Sequence, residues 1–482
     1  MSNAVSTAVS SITYDLQSGW RNPVTLSDVK DVVKTLLELS PKDAAVAVEQ
    51  LEQKGLLKAF ANEATERAAV WGHGGLSHDE RKSMFVDMAK KFDGTTLAKI
   101  SNAFSESSSW FGDPHNDVLT MADSIANHSS AQVKIEFISE ISGRLKNKNH
   151  VIHILIGITN GYTYNKEAAA TAKILSSMIG TNAEQAFRKL KPDQLRTVLE
   201  ASLGETHTTS PYGSQGANTS VSWSPEPFRD LMNAARTIAN ADMKARIFDA
   251  GVDTLRVVRD LNDSIGHTTS GKDKTISNMI DGLTVLVNSD VNGVIGELNR
   301  NTETRDGSDF ASYSKEMLAS GRENLLADQM NKLQFGNNKQ ENAVERLYKS
   351  TTTAGTADVR LYNAETLGYF IGSVNAGVNA VSKDINNQRE TTSVFLNAAL
   401  TLIDKLGEAP LGLGVATGAS LGKDFLQVSV NAAIQDPTAD TGARLAKAAL
   451  PSDPKTGESA VGTKVDEAFY AALTRVQIQS KP

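Results

Sequence analysis

The sequence predicts an all-α protein, with an irregular array of helical hairpins followed by a compact helical domain. Three observations support this class. Apolar residues recur at spacings of three and four over most of the chain, which is the period of a helix. Serine, threonine or aspartate precedes many of these segments, as helix N-cap residues do. Stretches that alternate apolar and polar residues, as half-buried strands do, are scarce.

The segment Glu365–Gln388 is predicted to be a buried central helix. Its apolar residues fall on one stripe: Leu367, Ile371, Val374, Val378, Val381 and Ile385. Small residues form a second row at every fourth position: Gly368, Gly372, Ala376 and Ala380. Glycine inside a helix costs about 1 kcal/mol relative to alanine. We therefore expect another backbone to approach this row closely.

Helix starts recur through the first half of the chain. They are expected at Ser40, Ser77, Ser129–Ser130, Thr181 and Ser224. Ser40 is followed by proline and an acid, and Ser77 by Glu80 in a capping box. The first two units are expected to end at glycines, Gly55 and Gly94. The spacing of the starts is irregular, so the sequence predicts a loose array of hairpins and not a tetratricopeptide or HEAT repeat.

Polar stretches interrupt the helical pattern and suggest the domain boundaries. Residues 105–117, 205–227 and 263–274 are predicted loops, and the last of these is the expected boundary between domains. The predicted domains are a flexible leader at 1–24, a helical-hairpin array at 25–262, and a C-terminal all-α domain at 275–482 built around helices within 365–406.

Composition excludes several classes of function. The net charge of −7 and a pI near 5.7 argue against a general nucleic-acid binder, which is usually basic. The chain has no cysteine, so disulfides, zinc thiolate sites, iron–sulfur clusters and cysteine nucleophiles are excluded. The N-terminal residues have neither the basic region nor the apolar core of a cleavable signal peptide.

Histidines are the first candidates for a metal site. His150 and His153 would share one face if they lay on a helix, but no acidic third ligand follows at a suitable spacing. His73 and His78 flank a glycine pair just before the capping box, so a loop or cap role is favoured. The sequence predicts no metal site from either pair.

Acidic clusters are the next candidates. Asp113–Asp117 gathers polar groups suited to acid–base work, although a helix-entry turn explains the same residues better. Two segments resemble fragments of a calcium loop, Asp290–Gly293 and Asp306–Asp309. Each lacks the bidentate glutamate, because Asn299 and Tyr313 stand at that position. Neither segment is expected to bind calcium.

Nucleotide-binding motifs are absent from the sequence, which contains no Walker loop and no dinucleotide fingerprint after a strand. Residues Gly418–Gly422 have the letters of a Gly-x-Ser-x-Gly elbow, but no strand pattern precedes them, so they are not interpreted as a nucleophile site. Gly412, Gly414 and Gly418 form a glycine-rich stretch, but no strand precedes it and no lysine follows in phosphate-binding register, so close helix packing is the favoured interpretation. No cofactor and no catalytic residue is predicted.

Residues 394–434 could form a hydrophobic hairpin around a Gly-Pro turn, as in a pore-forming colicin. Charged residues interrupt both arms at short intervals: Asp404, Lys405, Glu408, Lys423 and Asp424. Buried charges in a bilayer are costly, so a packed core hairpin is favoured and membrane contact remains the alternative.

Several segments of the chain resemble helical regions of secreted toxin and effector proteins of Gram-negative bacteria. They include LSPKDAAVAVEQLEQKGLLKAF in the first half, and SDVNGVIGEL and AETLGYFIGSVNAGV in the second. The likeness spans about residues 25 to 400 and contains no catalytic signature, so it carries over no functional residue. It implies a bacterial protein that is exported or injected, and it implies no reaction.

The sequence therefore predicts a bacterial secreted effector or toxin-associated protein that acts through protein or membrane contacts. Expected protein partners are a secretion apparatus, an immunity protein or a host target. The protein would be cytoplasmic before export and would leave without a cleavable signal peptide. Two alternatives stay open: a structural component of a secretion or injection particle, and an all-α enzyme whose site has the loops 105–117 and 205–227 as rims.

Overall fold

The computed structural model describes most of the first 322 residues and scattered positions beyond them. The described ranges are 3–17, 24–65, 75–107, 114–145, 148–155, 158–211, 218–260, 267–268, 271–301 and 309–322, with single residues or short groups within 325–333, 362–381 and 467–476.

The predicted helical class is confirmed, since α-helices make up most of the described chain. In order, they are α1 (Asn3–Asp15), α2 (Leu26–Glu38), α3 (Pro41–Gln53), α4 (Leu56–Thr65), α5 (His78–Lys91), α6 (Gly94–Ser105), α7 (Pro114–His128), α8 (Ala131–Ile141), α9 (Lys166–Ser176), α10 (Gly180–Phe187), α11 (Pro192–Ala201), α12 (Glu226–Ala235), α13 (Ala241–Asp260), α14 (Lys272–Asn288), α15 (Val291–Arg300) and α16 (Asp309–Ala319).

Most predicted helix starts are found where the capping residues placed them. The side chains of Ser40, Ser77 and Ser130 accept hydrogen bonds from the backbone three residues on, at the starts of α3, α5 and α8. Gly55, with φ of 72°, follows the end of α3 as predicted. The cap predicted at Thr181 is two residues late, because α10 begins at Gly180 and its N-cap residue, Ile179, offers no side-chain cap.

The structure also contains a five-stranded sheet, which the sequence analysis did not predict. Its strands run in the order β1 (Lys148–Leu155), β2 (Ile158–Tyr164), β3 (Gly204–Pro211), β4 (Asn218–Trp223) and β5 (His267–Thr268). The first four are antiparallel neighbours, and β5 adds to β4 in parallel.

The sheet corrects one expectation. The predicted loop at 205–227 contains most of β3 and all of β4. These strands are rich in serine and threonine, so they lack the alternation of apolar and polar residues that reveals a strand in a sequence. Threonine is nonetheless β-branched and fits a strand well.

The predicted flexible leader is also corrected. Residues 3–15 form α1, which packs against α2 and α3. Val5, Val9 and Ile12 fall on one helical face and are buried. Serine and threonine between these apolar residues made the segment resemble a leader, but the apolar face recurs at helical spacing.

The chain divides into two compact units. Unit 1 comprises residues 1–239 and 257–278, and unit 2 comprises residues 240–256 and 279–482. The division runs through α13 and α14, on either side of the boundary predicted at 263–274. Residues of each of these two helices are therefore assigned to both units.

The core of unit 1 contains three buried phenylalanines from successive helical hairpins. The rings of Phe60 and Phe85 each contact Phe104 edge-on, at centroid distances of 6.0 and 5.1 Å. Gly94, predicted as the end of a unit, is the first residue of α6. Any Cβ at this position would overlap the backbone of α8 at Val133 and Phe137. The glycine is thus required by helix packing, not by a turn.

The core of unit 2 is built on four aromatic residues. Phe248 from α13 and Phe310 and Tyr313 from α16 contact one another, and Phe370 contacts Phe310 at 5.1 Å. Phe370 belongs to the predicted central helix, whose described residues between 362 and 381 are helical. Tyr369, Phe370 and Ser373 are at most 2% exposed, so burial of this segment is confirmed where it is described.

Another backbone approaches the central helix closely at Gly377, which is not part of the predicted small-residue row. The prediction placed the close approach at Gly368, Gly372, Ala376 and Ala380, and the contact lies one residue beyond Ala376. A Cβ on Gly377 would lie 2.8 Å from the backbone nitrogen of Lys315 in α16. Of the predicted apolar stripe, Leu367, Ile371, Val378 and Ile385 lie outside the described residues, as do residues 382–406.

Candidate functional site

The histidines considered as metal ligands lie on different structures from those expected. His150 and His153 are in β1, not on a helix. The argument from helical spacing therefore no longer applies. His78 is exposed at the start of α5, and His73 lies outside the described residues. Within the described ranges, no group of three acidic or histidine residues is arranged to hold a metal ion.

Asp117, one of the polar residues at 113–117, has a structural role. Helix α7 begins at Pro114, as the helix-entry interpretation predicted, and Asp117 lies in its first turn. Its buried carboxylate accepts a 2.6 Å hydrogen bond from Nε of Arg81 in α5. Arg81 also donates to the backbone carbonyl of Leu76. The pair therefore ties α7 to α5 inside unit 1.

A second buried group of charges lies where the helices meet the sheet. Helix α9 begins directly after β2, and its first two residues, Lys166 and Glu167, are fully buried. The hydroxyl of Ser105, at the end of α6, donates to the Glu167 carboxylate at 2.5 Å. Asn165 caps α9 by accepting a hydrogen bond from the backbone of Ala168.

These contacts bear on the hypothesis of an all-α enzyme, in which residues 105–117 would form one rim of the active site. Both ends of that segment are anchored to buried charges, Ser105 on Glu167 and Asp117 on Arg81. A buried charge is retained only when it is paired and hydrogen-bonded, and breaking such a pair is costly. The arrangement positions helices α5, α6, α7 and α9, and these contacts explain the buried polar residues structurally.

The two calcium-loop fragments are helix starts. The Asp290 side chain accepts a 3.0 Å hydrogen bond from the backbone nitrogen of Gly293 and caps α15. Asn299 lies further along the same helix and is buried. Asp309 is the first residue of α16, and Tyr313 is buried one turn later in the aromatic core. Asp306 lies outside the described residues.

Asp309 also takes part in an acidic cluster that the sequence analysis missed. Asp249 in α13 is one of the acidic residues that act on its carboxyl group. Arg256 lies 3.2 Å from Asp309 and 3.0 Å from Asp253, and it also donates to the Ser312 hydroxyl at 2.7 Å. Burial, followed by the neighbouring Asp249, raises the pKa of Asp309 to about 9. No local sequence pattern links Asp309 to the residues of α13, because α13 and α16 are far apart in the chain.

The outer edge of β1 is the candidate interaction surface. Strand β1 has eight residues and, in the described part of the chain, pairs only with β2. The opposite edge of the sheet is different, since it ends in β5, which has two residues. Short edge strands protect a sheet from further pairing, whereas a long one presents unpaired backbone groups. The apolar, β-branched run VIHIL in β1 is a signal by which sequence reasoning could have found this strand.

The remaining expectations concern the membrane and the glycine-rich stretch. In the part of the chain that the structure describes, no helix has the length and apolar character to cross a bilayer. The hairpin predicted at 394–434, together with Gly412, Gly414 and Gly418, lies outside the described residues.

Comparison of the sequence with protein-family models and with characterised proteins finds no match to either.

Proposed function

We propose that this protein is an exported bacterial effector that acts by binding another protein, and that the edge of β1 receives a strand from that partner. The resemblance of its helical segments to those of secreted toxin and effector proteins supports export. The long edge of β1, which pairs only with β2 among the described residues, is the observation that carries the binding step, because strand addition uses the backbone groups of such an edge.

The geometry of β1 favours an antiparallel or parallel extended segment over a helix as the partner element. In an antiparallel ladder, alternate residues of β1 direct their N–H and C=O groups away from β2. The register with β2 is regular from Lys148 to His153, and a bulge follows before Leu155. The six regular residues form the part of the edge on which a partner strand can pair continuously.

The test combines export with binding. The producing bacterium is grown with its secretion systems intact and disabled, and the protein is followed in the medium beside a cytoplasmic marker. Partners are then captured by cross-linking in the recipient cells and identified. Export that depends on a secretion system, together with a captured protein that binds the purified chain directly, is expected. Absence of export would overturn the effector proposal.

Two neighbouring substitutions, Val151→Pro and Ile152→Pro, test the role of the edge. Proline removes one backbone donor, and of two adjacent strand residues one directs its N–H to β2 and the other outward. One variant should therefore weaken the sheet, measured by hydrogen exchange in β2. The other should keep β2 protected and lose partner binding. Binding retained by the variant with an intact sheet would exclude the β1 edge.

The alternative of a structural component in an injection particle is favoured by the same edge, because a second copy of the chain can also supply a strand. Two β1 strands paired antiparallel keep their Lys148 residues at opposite ends, which avoids like charges directly opposite each other. Sedimentation of the purified protein separates the two functions. Self-association that the edge-blocking proline abolishes would favour the structural role.

A further inference from the structure

We infer that Ser177 and Lys134 form a nucleophile–base pair that hydrolyses carboxylic esters where α8, α9 and α10 meet. The inference goes beyond the proposed function and does not depend on it. It rests on the hydrogen bond between the two side chains, on the burial of the lysine and on the exposure of the serine. The two residues are 43 positions apart, so no spacing in the sequence links them.

The ammonium group of Lys134 lies against a hydroxyl group. Its Nζ, from α8, is 3.1 Å from Oγ of Ser177, the C-cap residue of α9. Lys134 is only 9% exposed. In the described chain, Ser177 is the only side chain that Lys134 bonds to, and no carboxylate lies within ion-pair distance of its Nζ. Lysine is rarely buried without a paired charge, so this site differs from the ion pair of Arg81 with Asp117.

The surroundings of Lys134 favour the neutral amine, which is the form that can accept a proton. Burial lowers the pKa of Lys134 from its ordinary value of 10.5, and no neighbouring charge contributes to this shift. The end of α9 works against the shift, since a helix C-terminus favours positive charge, but salt screens that effect at an exposed helix end. A lysine whose pKa is lowered by burial is suited to act as a general base.

Ser177 is exposed and therefore accessible to a substrate. Its hydroxyl group donates a 2.7 Å hydrogen bond to the backbone carbonyl of Ile174. Rotation of the hydroxyl hydrogen from that carbonyl towards Nζ of Lys134 directs the proton to the amine without moving a heavy atom. A serine hydroxyl is a weak nucleophile by itself, and an adjacent base activates it.

The start of α10 supplies the electrostatic part of the site. Helix α10 begins at Gly180, three residues after Ser177, and packs against α8. Its N-cap residue provides no side-chain cap, and the N–H of Gly180 donates to Oγ1 of Thr237. The first N–H groups of a helix lack partners within the helix and favour negative charge. This helix end therefore favours the oxyanion that forms when Ser177 attacks a carbonyl group.

The reaction needs water as its only co-reactant. Oγ of Ser177 bonds to the carbonyl carbon of the ester while its proton passes to Nζ of Lys134. The C–O bond to the alcohol then breaks, and the alcohol leaves with that proton. Water attacks the acyl-serine and gives a proton to Lys134, which returns it to Oγ as the carboxylic acid departs. Ile179, which is 70% exposed and two residues from Ser177, favours an ester with a small apolar acyl group.

The test treats the full chain with a fluorophosphonate reagent, which modifies activated serines, and locates the label by peptide mass spectrometry. Ser177 should be labelled. Ser142 is the matched control in the same molecule, because it is the C-cap residue of α8 and its hydroxyl also donates to a carbonyl three residues before it. No lysine contacts the Ser142 hydroxyl in the described structure. Hydrolysis of p-nitrophenyl acetate should be lost in Ser177→Ala and unchanged in Ser142→Ala.

Lys134→Arg separates the role of the base from that of packing. Arginine can still donate to Ser177, but it is not deprotonated in proteins. The rate at which Ser177 is labelled should therefore fall about 100-fold or more, while circular dichroism stays native. Absence of label at Ser177 in the native protein, equal labelling of Ser142, or native labelling in a folded Lys134→Arg variant would overturn the inference.

Discussion

Gly377 lies so close to Lys315 that a Cβ atom added to the glycine would be 2.8 Å from the Lys315 backbone nitrogen. It would also be 3.0 Å from the Cβ of Ser314. The contact joins the central helix to α16 through backbone atoms, which cannot move aside as the end of a long side chain can. The packing of the central helix against α16 thus requires glycine at position 377.

Gly377→Ala is expected to destabilise unit 2 by about 1–3 kcal/mol, the usual cost of overpacking a core. The higher helix propensity of alanine offsets part of this cost. The measurement is hydrogen exchange of α16 peptides under native conditions. Gly143→Ala is the matched control, because a Cβ at Gly143 meets no atom within 4 Å. Unchanged protection of α16 in Gly377→Ala would contradict the close approach.

Gly94→Ala is expected to destabilise unit 1 by at least as much, about 2–3 kcal/mol. An added Cβ would overlap backbone atoms of both Val133 and Phe137, so α6 and α8 must separate. Urea unfolding followed by tryptophan fluorescence measures the loss, since all four tryptophans lie within residues 1–239. A native midpoint in this variant, with Gly143→Ala also native, would rule out direct packing of α6 on α8 at this glycine.

Asp117→Leu is expected to cost about 3–5 kcal/mol, because Arg81 would keep its buried charge without its carboxylate. The double variant Arg81→Met with Asp117→Leu should recover part of this loss, since both charges are then removed. The exposed pair Lys34 and Glu38 supplies the control, and Glu38→Gln should cost no more than about 0.5 kcal/mol. The measurement is the same urea unfolding, and additive losses in the double variant would show that the two side chains act independently.

Glu80→Gln is expected to change the acid stability of unit 1 while keeping the capping box, since glutamine can also serve there. The ion pair with Lys30, and hydrogen bonds from the backbone and hydroxyl of Ser77, lower the pKa of Glu80 to about 2. Stability from this group is present above pH 4.5 and is lost as the pH falls towards 2. The free energy of unfolding of the native protein should therefore be larger than that of the variant above pH 4.5. The difference between the two should vanish near pH 2.

Chemical unfolding of both proteins across this pH range measures that difference. Lys30→Met in the native background should reduce it, because the largest contribution to the lowered pKa of Glu80 is then absent. A difference that stays constant from pH 7 to pH 2 would show that Glu80 titrates normally.

Local features of the fold could be predicted well from the sequence. The caps at Ser40, Ser77 and Ser130 act within three residues of themselves, so a single sequence contains both partners of each hydrogen bond. The helix entry at Pro114 was predicted for the same reason. The strands β3 and β4 were missed because they are stabilised by backbone hydrogen bonds between segments, and their serine and threonine residues show no apolar face.

The candidate sites could be predicted only in part. Asp117 was singled out, but its partner Arg81 lies on another helix and could not be paired with it from spacing. Asp309 was considered as part of a calcium loop, and the effect of Asp249 on its pKa was not foreseen. The open edge of β1 depends on which strands pair, which is a property of the whole sheet.

By itself, the sequence determined where most helices begin and which of their residues face inward, because capping and helical periodicity act over three or four residues. Only the tertiary structure decided which helices meet, and therefore where Gly377 must lack a side chain and why the pKa of Asp309 is raised. The physical reason is that close backbone approach and loss of water around a carboxyl group arise from segments distant in the chain. Neither leaves a pattern among neighbouring residues.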